Sequence, residues 1–197
     1  MDLYKLHSKP KTLAGYKQSV NVPTVAWNKF ESAYPKVTHE DTEFYKSIFI
    51  KDAKYASLYA INIMKERWPE AEQYIMKSPK WVLEYMAEVM PDEEWPAAEK
   101  YIKQSPQYAY EYAYYHLGER WPEAEDTIMK SPSYAFEYAN DIIKGRWPEA
   151  EKYIMKNPEA AYFYAIRIIK GRWPEAEKYI KQNSKWWSKY NSELEIL

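Results

Sequence analysis

The sequence has no cysteine, four glycines, three histidines and almost no net charge. Each shortage excludes something. Without cysteine there are no disulfides, no thiol nucleophile and no zinc–thiolate site, a composition that suits a reducing compartment. So little glycine argues against a phosphate-cradling loop and against a turn-rich all-β fold. Lys plus Arg is 28 and Asp plus Glu is 29, so no global field favours nucleic acid or an anionic membrane. No apolar run is long enough to cross a bilayer, and the opening MDLYKLHSKPKTLAGYK lacks the apolar stretch of a signal peptide. A cytoplasmic protein is expected. His7, His39 and His116 are scattered without metal-ligand spacing, and His39-Glu40-Asp41 reads as the solvated first turn of a helix. No Ser–His–Asp arrangement, Walker loop or dinucleotide fingerprint occurs. The expectation is therefore no catalytic residue, no metal and no cofactor.

What is abundant is aromatic and repeated. Aromatic residues make up 18% of the chain, with 21 Tyr and 9 Trp. RWPEAE begins at Arg67, Arg120, Arg146 and Arg172, and EWPAAE at Glu94 is a looser copy. Trp68, Trp95, Trp121, Trp147 and Trp173 follow one another at spacings of 27, 26, 26 and 26 residues, the extra residue lying in MPDEE before Trp95. A fixed period of this kind is the mark of a stacked repeat.

Each unit reads as two helices. Helix A opens at the proline after each Trp, because the missing N–H of proline has no partner at the first helical position. In Pro148–Lys156, Glu149 and Glu151 suit the positive end of the helix, and Ala150, Tyr153 and Ile154 form the apolar stripe. Helix B opens at Asp52, Ser78, Ser105, Ser131, Asn157 and Asn183, all good N-cap types, four of them followed by proline. It is expected to close at Gly145 and Gly171 beside basic residues. Seven residues past the cap stands Tyr59, Tyr85, Tyr112, Tyr138, Tyr164 and Tyr190. That ladder reads as core packing with the hydroxyl reaching a partner. Glu72, Glu99, Glu125, Glu151 and Glu177 recur at one position, so they read as frame, paired with Arg67, Arg120, Arg146 and Arg172.

The expected fold is all-α: a right-handed α-solenoid of stacked two-helix repeats with a period of about 26 residues. One helical-repeat domain covers 1–197, with degenerate units in 1–51, regular repeats in 52–182 and a capping helix in 183–197. Within the first part, Pro10–Tyr16 and Thr38–Lys51 read as worn copies of helix A, and the stretch after Asn21 as a worn helix B.

At WPEAE and YAxxYA, and in the opening LYKLHSKP, the chain resembles short helical-repeat proteins of bacteriophages and their bacterial hosts. The resemblance covers essentially the whole chain. It implies a setting in the bacterial cytosol, including action against a host system, and no particular activity or catalytic residue. Period and signature differ from tetratricopeptide and ankyrin repeats, whose ligand rules do not transfer.

If the frame is constant, function lies where units differ. Positions five, six, nine and ten past the cap of helix B vary from unit to unit and are read as facing away from the core or flanking it. They nominate Tyr110, Glu111, Tyr114, Tyr115, Phe136, Glu137, Asn140, Tyr162, Phe163 and Arg167 as a partner-binding face. A protein partner is the first expectation. The alternatives are a nucleotide or nucleic acid stacked on the aromatics, and a structural protein that assembles with copies of itself.

Overall fold

The computed structural model describes residues 46–47, 49–91 and 93–195. The worn units read into Pro10–Tyr16, the stretch after Asn21 and most of Thr38–Lys51 lie outside the described residues. The described residues are all-helical, and helices A and B alternate along the chain. The B helices are α1 (Ala53–Tyr59), α3 (Pro79–Val89), α5 (Pro106–Tyr112), α7 (Pro132–Tyr138), α9 (Pro158–Tyr164) and α11 (Ser184–Leu194). The A helices are α2 (Pro69–Ile75), α4 (Pro96–Ile102), α6 (Pro122–Ile128), α8 (Pro148–Ile154) and α10 (Pro174–Ile180). Helices α4, α6, α8 and α10 each pack against the B helices on either side in sequence, and α2 packs against α1. Every B helix also contacts the B helix before it and the one after it. Buried alanines allow that approach: Ala109, Ala113, Ala135, Ala139, Ala161 and Ala165 are fully enclosed.

Local signals explain the boundaries. Each A helix starts with proline after a Trp in non-helical conformation, with acidic residues in its first turn. Asp52 and Asn157 cap their helices by accepting two backbone N–H groups each, and Asn183 accepts one from Trp186. Ser78, Ser105 and Ser131 are extended as expected but make no side-chain cap bond. In those units the cap carbonyl still receives the first helical N–H, as in Ala135 to Ser131 at 2.8 Å. Proline at the next position limits the need for more.

The close of helix B departs from expectation. After α1, α5, α7 and α9 the chain continues for five residues as a π-helix: Ala60–Met64, Ala113–Leu117, Ala139–Ile143 and Ala165–Ile169. The next residue takes the left-handed conformation, and it is Lys65, Gly118, Lys144 and Lys170. Gly145 and Gly171 therefore sit one residue beyond the left-handed position. Their N–H groups bond back to Ala139 and Ala165. The i→i+5 winding closes on the lysine N–H, bonded back to Ala139 or Ala165, so the left-handed turn falls one residue before the glycine.

The tyrosine at position seven joins successive turns. The Tyr138 hydroxyl accepts the Trp121 N–H at 2.6 Å and donates to Glu125 at 3.1 Å, while its ring lies 5.1 Å from that of Trp147. Tyr85 and Tyr164 repeat this with Trp68 and Glu72, and with Trp147 and Glu151. Each carboxylate is held in turn by the arginine before the Trp, Arg120 to Glu125 at 2.8 Å through two parallel bonds. Buried Trp rings, buried Tyr rings and Ile75, Ile102, Ile128, Ile154 and Ile180 make one continuous core. Burial also pushes the hydroxyls of Tyr85, Tyr112, Tyr138 and Tyr164 well above the ordinary tyrosine range, so they stay protonated donors.

Candidate functional site

The ten residues nominated from the pattern fall into two layers. Tyr110, Phe136 and Tyr162, at position five, are buried at 7%, 4% and 3% exposure. They fill the seam between adjacent B helices and offer little surface. The reading of position five as a flank is corrected by the packing: α5, α7 and α9 each touch two A helices and two other B helices, so their buried arc is wider than a single stripe. Tyr114 and Tyr115, at positions nine and ten of the third B helix, are exposed at 42% and 46%. Glu111, Glu137, Asn140 and Phe163 are half-buried, and Arg167 is exposed.

The buried seam supports the outer layer. Tyr110 stacks on Tyr114 at 5.8 Å, and Tyr114 meets Tyr115 edge-on at 4.8 Å. Across to the next B helix, the Tyr110 hydroxyl donates to Asp141 at 2.7 Å, and the Asn140 amide donates to the other oxygen of that carboxylate at 2.6 Å. Burial first, and then donation to Asp141, pushes the Tyr110 hydroxyl far above the ordinary tyrosine range. Further on, Phe136 stacks on Phe163 at 5.8 Å, and the Arg167 guanidinium lies 4.9 Å from the Phe163 ring and 5.9 Å from Phe136. Tyr162 stacks on Trp186 at 5.1 Å and donates to Glu193. Burial and that bond push its hydroxyl up to about 12.

Position six carries Glu84, Glu111 and Glu137 on three consecutive B helices. All three carboxyls are raised above the usual carboxylate range, in each case mainly by burial. Lys80 opposes the rise at Glu84, a hydrogen bond from the Gln107 amide opposes it at Glu111, and Arg167 opposes it at Glu137. Among the described residues none of the three forms an ion pair. Tyr108 and Tyr134, half-buried at position three, feel the charges of Glu84 and Glu111 and of Glu111 and Glu137 respectively. Pattern reading passed over these two tyrosines. Their signal was present: position three holds Tyr55, Trp81, Tyr108, Tyr134 and Trp186, an aromatic in every copy but one.

No group of three or more metal-ligating side chains converges among the described residues, and none of their helices is long and apolar enough to cross a membrane. His116 is packed 5.6 Å from Tyr112, and burial lowers its pKa. His7 and His39 lie outside the described residues. An open cleft at the other end, lined by Lys170, Arg172, Asn191 and Glu195, brings together no group poised for chemistry. What the arrangement offers is a run of B-helix positions that differ between units, with aromatics at its centre and carboxylates beside them. No protein-family model matches the chain, and neither the curated proteins nor the solved structures contain a match to it.

Proposed function

We propose that this chain is a non-enzymatic helical-repeat scaffold, a right-handed α-solenoid that holds a protein partner on the variable face of its B helices. One observation carries the reading. The large side chains left exposed at the middle of the chain, Tyr114 and Tyr115, stand at positions whose residue type changes from unit to unit, whereas the frame positions are constant and buried. Exposed adjoining aromatics on a rigid support are the usual core of a protein interface. The buried partners of Tyr114 hold it in place, which reduces the ordering cost of binding. The resemblance to phage and host repeat proteins supports a partner in the bacterial cytosol, with the chain acting as an inhibitor of a host system.

The test compares affinity capture from bacterial lysate by the native chain and by a Tyr114→Ala/Tyr115→Ala variant, with helicity measured on both. The exposed pair can be removed without opening the core, unlike Phe136 or Tyr162. The expected result is an unchanged fold and loss of a partner held by the native chain. A folded variant that keeps every partner overturns the placement of the interface.

A further inference from the structure

We infer that the surface around α11, the last B helix, takes the phosphates of a single-stranded nucleic acid on Arg167, Lys185 and Lys189. It is a second surface, apart from Tyr114 and Tyr115, and does not depend on the reading given for them.

The first ground is that the charge breaks the repeat. Residues 167–189 carry seven Lys and Arg against two carboxylates, in a chain whose net charge is -1. The same stretch one unit earlier, 141–163, carries four of each, and two units earlier, 115–137, two against five. A frame requirement would recur in every unit. This excess belongs to one of them, and a local excess of cations concentrates anions from solution.

The second ground is what the cations touch. Glu177 takes up Arg172 and Lys181. Arg167, Lys185 and Lys189 are exposed and form no ion pair among the described residues. They lie on rings instead. Phe163 and Trp186 stand 5.4 Å apart, where α11 packs on the π-segment that carries Arg167. The Arg167 guanidinium lies 4.9 Å from the Phe163 ring, and the ammonium groups of Lys185 and Lys189 lie 4.3 and 5.3 Å from that of Trp186. Three like charges thus share one ring pair. Two carboxylates adjoin them without closing a pair: Glu137 is acted on by Arg167 through space, and Glu193, one turn beyond Lys189, accepts the Tyr162 hydroxyl. The rings fix the long side chains, so less freedom remains to be lost on binding. Like charges held together raise the energy of the free protein, and an arriving polyanion removes that repulsion.

The occupant follows from the spread of the cations. They come from adjacent helices, whose axes lie about 8–10 Å apart, so one strand a few nucleotides long spans them. Every nucleotide of a strand carries a charge, whereas successive side chains of an extended acidic peptide alternate between two faces. An anionic membrane would call for exposed apolar side chains beside the cations. The large apolar side chains most exposed among the described residues are Tyr55, Tyr114 and Tyr115, none of them on α11 or its ring pair.

The probe is a short fluorescein-labelled single-stranded oligothymidylate, titrated into the full chain and read by anisotropy at several salt concentrations. Controls are a labelled oligoglutamate peptide of the same charge and vesicles containing an anionic phospholipid. The oligonucleotide is expected to bind, more weakly as salt rises, and more tightly than the peptide or the vesicles. An R167Q/K185Q/K189Q variant is expected to weaken it roughly tenfold or more. Each phosphate contact on a single strand contributes about 0.7 to the slope of log affinity against log salt, so the variant should flatten that slope by about 2. A K77Q/K103Q/K130Q variant removes the same charge from exposed lysines after earlier A helices and is expected to leave affinity nearly unchanged. K185Q/K189Q keeps Arg167 on its rings and is expected to give an intermediate loss, with helicity measured on every variant. Absence of salt-dependent binding overturns the proposal, as does an unchanged affinity in K185Q/K189Q. Equal losses in the two triple variants overturn the placement, because they would mean that total charge alone decides. Tighter binding of the peptide or the vesicles overturns the class of occupant.

Discussion

From Tyr85 to Trp95 the chain takes ten steps, and from Tyr138 to Trp147 it takes nine. Both stretches leave a B helix and deliver a tryptophan to the next A helix, by different routes. After Tyr138 the helix unwinds into the π-segment Ala139–Ile143, turns left-handed at Lys144 and reaches Trp147 through Gly145 and Arg146. After Tyr85 the α-helix runs straight on to Val89, with no left-handed residue among those described, and the chain reaches Trp95 through Met90, Pro91 and a longer loop. The end points are nevertheless alike. Tyr85 and Tyr138 pack on the following tryptophan at 5.6 and 5.1 Å. The clasp between tyrosine and tryptophan is thus the conserved quantity, and the winding of the connection is free to change so long as it delivers the ring.

The largest expected difference between the two junctions is at position twelve past the cap. Met90 is 1% exposed, whereas its counterpart Ile143 is only partly buried. Met90 belongs to the core cluster, whereas Ile143 only packs against it. Met90→Ala is expected to cost about 2–5 kcal/mol and Ile143→Ala clearly less, read from urea unfolding followed by circular dichroism. The reverse order would show that the longer loop, rather than the buried methionine, anchors the odd junction.

The second difference concerns the carboxylate under the tyrosine. Glu125 is held by both Arg120 and the Tyr138 hydroxyl. Glu99 takes a bond from Tyr112 at 3.1 Å, but residue 94 is glutamate where the other units have arginine. Removing the Tyr138 hydroxyl leaves the buried Trp121 N–H without its acceptor, and removing that of Tyr112 loses a weaker contact with the Trp95 N–H, at a cost of up to about 1–3 kcal/mol. Tyr112→Phe also takes from Glu99 its only side-chain donor among the described residues. Of the two variants, Tyr112→Phe is expected to unfold at the lower urea concentration. Equal midpoints would mean that solvent satisfies Glu99 as well as arginine satisfies Glu125.

The left-handed residue supplies a smaller contrast. A side chain in that conformation costs about 1–2 kcal/mol, and glycine gives part of this back as unfolded-state entropy. Lys144→Gly should therefore stabilise the chain by up to about 1 kcal/mol, and Gly118→Lys should destabilise it by a similar amount. Thermal unfolding of the two variants measures both. A neutral result at both positions would mean that the π-helical end relaxes to accept either residue.

These features were not equally legible from the amino-acid order. The pairing of Arg with Glu, the burial of the tyrosine ladder and the start of each helix followed from local chemistry, because proline, N-cap residues and a fixed period act over a few neighbours. The tryptophan spacing of 27 marked the odd junction, but nothing in ANDIIK or AIRIIK distinguishes a π-turn from an α-turn. That choice depends on where the next tryptophan must land. The same limit misplaced Gly145, which was read as the closing residue although Lys144 takes the left-handed turn. In the candidate site, Tyr114 and Tyr115 were found because their neighbours vary. The burial of Tyr110, Phe136 and Tyr162 was missed because a helical wheel assumes one buried stripe, while these helices have neighbours on three sides. Glu111 and Glu137 were already nominated at position six, but that they and Glu84 are half-buried shows only when consecutive B helices stand side by side.

The smallest expected effect addresses the charge that sets the odd junction apart. Glu94 and Glu99 both act on Tyr112 with the same sign, and no arginine offsets them there. Glu94→Arg would restore the arrangement of Arg120 and Glu125, replacing a like pair by an opposite one next to a partly exposed carboxylate. The expected gain is about 0.2–1 kcal/mol at low ionic strength. It should shrink as salt rises, because a pair at the surface is screened over about 10 Å at moderate ionic strength. Urea midpoints measured at low and high salt separate this from a packing effect, which would not respond to salt. An unchanged midpoint at low salt would mean that the longer loop holds residue 94 out of reach of Glu99. The odd junction would then differ from the others in backbone geometry first and in charge only as a consequence.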